Sequence, residues 1–65
     1  MYEELKKKMA DNRYSALALA KLAGIKPSTL GYRLSGGGKF TISEAQKLSL
    51  ILGIKPGDVY KFFAE

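Results

Sequence analysis

The sequence contains no cysteine and no histidine. Without cysteine no disulfide can staple the fold, and without either residue the usual zinc ligands are missing, so no metal site is expected. The same absences remove the cysteine nucleophile and the histidine general base. The six acidic residues form no obvious inward pair, so neither an enzyme, a cofactor nor a small-molecule substrate is expected. No apolar run is long enough to span a bilayer, and no signal-peptide pattern opens the chain; a cytoplasmic protein without membrane association is the expectation. Acid is also missing from one long stretch. Between Asp11 and Glu44 stand Arg13, Lys21, Lys26, Arg33 and Lys39, and no carboxylate.

That gap locates the charge. Residues 1–11 balance Lys6, Lys7 and Lys8 against Glu3, Glu4 and Asp11. Residues 44–65 balance Lys47, Lys55 and Lys61 against Glu44, Asp58 and Glu65. The whole net charge of +5 therefore falls on the middle of the chain. A solvated face usually mixes both signs, so a one-signed segment points to a polyanion as partner, attracted through its phosphates. Sixty-five residues with 46% hydrophobic content make one globular domain, 1–65, of a size that buries only about 60% of its unfolded surface.

The middle segment reads as two short helices joined by a tight turn, over residues 15–36. Leu19, Leu22 and Ala23 share a helical face, with small Ala20 beside them. Gly24 stands where a helix ends in a left-handed residue. Ile25 and Lys26 lead to Pro27, suited to the first position of a new helix. Leu30 and Leu34 give that second helix its buried side. This is a helix-turn-helix.

Around it, residues 2–11 predict a first helix burying Leu5 and Met9, with Tyr2 extending the stripe; Asp11-Asn12 supplies the turn. Ser15 caps the second helix, and Tyr14 before it can pack on Leu19 as a hydrophobic staple. Gly-Ile-Lys-Pro occurs at 24–27 and again at 53–56, each time with an apolar residue five positions after the isoleucine. It is one local way to leave a helix and begin the next, with lysine as a weak cap. Ser35 to Lys39 (SGGGK) forms a flexible loop able to approach a phosphate. It lacks the spacing of a nucleotide-binding P-loop, and no strand precedes it. Thr41 and Glu44 spell a capping box for a fourth helix to Leu52, burying Ile42, Ala45, Leu48, Ile51 and Leu52. Gly53 closes it, and a fifth helix runs from Pro56 to Phe63. Nothing alternates with period two, so the fold class is all-α, with five short helices.

The segments LAKLAGI (19–25), STL (28–30), Leu34–Gly36 and FTISEAQKLSLILGI (40–54) resemble the phage repressor and Cro family, the lambda-repressor-like helix-turn-helix proteins. The resemblance covers nearly the whole chain. It implies a recognition helix at 27–34 in the major groove of DNA, with base contacts from Pro27, Ser28 and Tyr32 and with Thr29 nearby. It implies phosphate contacts from Lys26, Arg33 and Lys39, and from Ser15 and the helix N-terminus at Ala16. The hydroxyls of Ser28 and Thr29 can donate or accept at base edges, and the Thr29 methyl suits thymine. Arg33 is a fork-shaped donor for phosphate or guanine. Three positions depart from the family pattern: Ala16 and Pro27 stand where relatives often carry glutamine, and Arg33 where many are apolar, with Leu34 taking over the packing role. Fewer bidentate base contacts follow, with more weight on shape and backbone.

The function implied is a sequence-specific transcriptional regulator of phage or prophage type. The alternative is an antitoxin-like or anti-repressor module that uses the same fold to hold a protein partner. An acidic patch on the recognition helix would favour that alternative, and the sequence has none. The expected partner is double-stranded DNA, a near-palindromic operator read by a weak homodimer that forms mainly on DNA. Tyr60, Phe62 and Phe63 in the C-terminal VYKFF are the candidate dimer surface, because four large apolar groups in five residues exceed what one helix face usually buries.

Overall fold

A computed structural model describes residues 2–64. Helices α1 (Glu3–Asp11), α2 (Ala16–Ala23), α3 (Pro27–Leu34) and α4 (Ile42–Leu52) follow in order. One 3-10 turn at Pro56–Asp58 then leads into α5 (Val59–Phe63). No strand occurs among the described residues, and the fold is all-α, as the periodicity predicts.

The longest helix has 11 residues, and helices this short are marginal alone. Packing must hold them. Leu5, Leu19, Leu30 and Leu48, one from each of α1 to α4, are fully buried. Met9, Ala20, Ala23, Leu34, Leu52 and Ile54 complete the core around them. α2 lies against both α3 and α4, while α5 closes the other side against α1 and α4. Ala20 is wholly buried, consistent with a small residue allowing α2 to approach its neighbours.

Two residues expected inside are outside. Leu22 is 61% exposed. The arc of α2 that packs is centred between Leu19, Ala20 and Ala23, and at 3.6 residues per turn Leu22 lies about 100° to one side. Ile42 is 79% exposed, because it is the first residue of α4 and lies almost a full turn outside Ala45. Phe40 packs on the core from this segment instead. Its ring meets Tyr2 edge-on at 5.1 Å and Phe63 at 5.2 Å, tying the two ends of the chain together. Tyr2 itself precedes α1 as its cap residue. The fifth helix also differs from its predicted span: its first turn is 3-10, since Gly57 weakens α-helical propensity just after Pro56.

The helix ends share one design. Gly24 and Gly53 both take the left-handed conformation, at φ 70°. The next amide reaches back five residues: Ile25 N donates to Ala20 O and Ile54 N to Ser49 O, each at 2.9 Å. This is the long bond of the Schellman motif. Both Gly-Ile-Lys-Pro copies therefore make the same exit, and both lysines cap without a side-chain bond. The exit of α3 repeats it through Gly36 (φ 88°) and Gly37 N to Tyr32 O, and the exit of α1 through Arg13 (φ 60°) and Tyr14 N to Met9 O. Arg13 is the exception among the four, holding with a side chain a conformation glycine takes without strain. Tyr14, just after it, is half-buried against the core that contains Leu19. Replacing Arg13 with glycine should raise stability by about 0.5 kcal/mol, the relief of left-handed strain less the entropy glycine adds to the unfolded chain. Chemical denaturation checks this; a destabilised Arg13→Gly would mean that the arginine side chain holds the turn.

Candidate nucleic-acid interface

The turn between α2 and α3 is fixed by Gly24, by Ile25 half-buried against the core, and by Pro27 at the first position of α3. Leu30 and Leu34 anchor the inner side of α3. Pro27, Ser28, Gly31 and Tyr32 are thereby left on its exposed side, with Tyr32 at 59% exposure. Thr29 is half-buried and stands at the edge of this face. Lys26 and Lys39 are exposed before and after the helix.

At the start of α2 the Ser15 side-chain oxygen accepts from Ala18 N at 3.1 Å. The cap uses the oxygen as acceptor, so its O–H remains able to donate. Ala16 packs its methyl on the core, so only its backbone amide, one of the unsatisfied first N–H groups of a helix, can meet an anion.

Gly31 was not singled out by sequence reasoning. A Cβ built on it would meet no atom within 4 Å, so nothing inside the protein demands glycine there. The signal was available, as an isolated glycine inside a helical pattern has a cost that calls for a reason.

The model of the Cro/C1-type HTH DNA-binding domain matches residues 4–65. The chain belongs to this Cro/C1-type DNA-binding family. Comparison with curated proteins and with solved structures returned no match.

Within this Cro/C1-type domain, Arg33 is the residue whose surroundings change its reading most. Its Nε donates to Glu44 Oε1 at 3.2 Å and its Nη2 to Glu44 Oε2 at 3.5 Å. Glu44 meanwhile completes the capping box: Oε1 accepts from Thr41 N at 2.9 Å, and Thr41 Oγ1 accepts from Glu44 N at 3.1 Å. One carboxylate thus starts α4 and grips α3. Burial pushes the Glu44 carboxyl upward in pKa, but the Thr41 amide and the Arg33 guanidinium outweigh it and hold the group below its ordinary value. Arg33 is largely covered and its charge is balanced, leaving Lys26 and Lys39 as the exposed cations flanking α3.

The C-terminal aromatics divide. Phe62 and Phe63 are half-buried against the core, whereas Tyr60 is 83% exposed. An apolar groove of about 330 Å³ lies between Gln46, Ser49, Leu50, Ile54, Pro56 and Val59. Leu50 on its rim is 83% exposed. No helix among the described residues is long and apolar enough to cross a membrane.

Two outcomes follow. Because the folded state favours ionised Glu44, its contribution is complete above the unfolded pKa of about 4.3 and fades as pH falls through the lower folded value. Glu44→Gln should therefore cost about 1 kcal/mol near pH 7, and its denaturation midpoint should converge on the wild type in acid. A gap that stays constant with pH would show that the carboxylate charge contributes nothing. Gly31→Ala should do the opposite to stability, adding about 0.5–1 kcal/mol by helix propensity, read as a higher melting temperature.

Proposed function

We propose that this chain is a sequence-specific transcriptional regulator of phage or prophage type, which docks α3 in the major groove of operator DNA and so blocks or redirects polymerase. The observation that carries the reading is the outer face of α3: a short hydroxyl (Ser28), a bare backbone position (Gly31) and a long aromatic hydroxyl (Tyr32), flanked by exposed lysines. Glu44, in the first turn of α4, is paired with Arg33, so its charge does not oppose a phosphate. An α-helix with its side chains is about 10–12 Å across, which the major groove, about 12 Å wide, admits. Ser28 and Tyr32 contact base edges, with Thr29 and Pro27 at the margin. Lys26 and Lys39 meet phosphates at the two ends of the helix, and the Ser15 hydroxyl and Ala16 amide meet a third. Arg33 reaches a phosphate only by exchanging Glu44 for it.

One recognition helix reads few base pairs, and two copies on a near-palindromic site supply the rest. The contact is weak and forms mainly on DNA. With Phe62 and Phe63 engaged by the core, the surface that supports it is Tyr60 together with exposed Leu50 and the adjoining groove. Such a protein works in the cytoplasm of a bacterial cell.

Selection of binding sites from random duplex DNA, at two salt concentrations, tests this reading. A consensus with two half-sites is expected; recovery of no consensus would leave only non-specific binding and overturn it. Lys39→Ala should weaken binding alike on selected and random duplexes and flatten the salt slope by about one unit. Binding indifferent to salt would exclude a phosphate-led interface.

A further inference from the structure

The loop after α3 contains three consecutive glycines, for two different reasons. Gly36 takes the left-handed turn that ends the helix. Gly37 and Gly38 do not adopt a left-handed φ, so that conformation is not what calls for glycine there. What excludes a side chain is Tyr32. A Cβ built on Gly37 would fall 2.5 Å from Tyr32 Cδ1 and 2.6 Å from Tyr32 Cζ, distances that real Cβ atoms do not show. One built on Gly38 would lie 3.3 Å from Cε2 of the same ring and 2.8 Å from Arg33 Nη1. The tyrosine ring therefore spans both glycines and rests on bare backbone.

The loop is fastened at that place. Gly37 N and Ser35 Oγ both donate to Tyr32 O at 2.9 Å. Main chain and ring of one residue thus hold the loop from two sides. An exposed tyrosine ordinarily exchanges among staggered χ1 wells. Here the ring lies on the loop backbone, and a side chain preset in this way loses less entropy on binding.

We infer that Gly37 and Gly38 are positioning residues for DNA recognition: they form a rest that presets the Tyr32 side chain, so that loop residues which touch no base help set base specificity. This rests on the reading of Tyr32 as a base contact. Gly37 is the cleaner probe, since Gly38 also faces Arg33, whose pair with Glu44 belongs to the packing of α3 on α4.

The test is a double-mutant cycle on Tyr32→Ala and Gly37→Ala, read as dissociation constants on a duplex enriched from a random pool and on an unselected duplex. Because Gly37 has an ordinary φ and only a movable ring above it, Gly37→Ala should keep the melting temperature. It should weaken the enriched duplex on the order of tenfold with little change on the unselected one. In the Tyr32→Ala background Gly37→Ala should have no further effect. Losses that multiply, or a Gly37→Ala variant that binds like the wild type while Tyr32→Ala does not, would overturn the rest. Wild-type binding by Tyr32→Ala would instead overturn the base-contact reading, and the inference with it. Nuclear magnetic resonance of the unbound protein gives a readout that needs no DNA: the Gly37 and Gly38 Hα protons should carry ring-current shifts that vanish in Tyr32→Ala. Their absence in the wild type would also overturn the proposal.

Discussion

Leu5, Leu19, Leu30 and Leu48 are the constraint on which the rest of the domain depends. Each comes from a different helix and each is fully buried. Helices of 8 to 11 residues do not persist on their own, so α3 exists as a helix only because Leu30 and Leu34 join that core. The exposed face of α3 and its core side are consequently two sides of the same eight residues. Burial of the inner side selects which side chains remain outside, and Ser28, Gly31 and Tyr32 are exposed for that reason.

Punctuation was the most legible part of the sequence. The repeated Gly-Ile-Lys-Pro, the Ser15 cap and the Thr41–Glu44 capping box are local, and their meaning is complete within a few residues. Leu22 and Ile42 were misread because periodicity identifies a stripe without saying which arc of it has neighbours. The left-handed Arg13 carried no compositional sign; closure of the turn between α1 and α2 imposes it. The glycines at 36–38 read as slack from the sequence, yet two of them are glycine because of a ring that arrives from the preceding helix. That fact is tertiary even though it spans only a few residues.

Charge shows the same division between local and spatial information. The stretch between Asp11 and Glu44 is free of acid along the chain but not in space, because the acid that ends it folds back on Arg33. The carboxylate serves two helices at once, and this links the start of α4 to the end of α3 through one group. The family resemblance implies a phosphate contact for Arg33; the structure adds a pair with Glu44, while Lys26 and Lys39 on either side of α3 are exposed.

The four helix exits share one form: a left-handed residue followed by an amide that reaches back five positions. Helix direction is thus held in main-chain geometry at the joints rather than in the side chains of the outer face. Ser28, Gly31 and Tyr32 take no part as left-handed residues in any of these joints. The outer residues of α3 are therefore separable from the main-chain geometry that ends the helices. A lineage of such domains can rewrite those residues while each descendant inherits a fold that does not have to be found again.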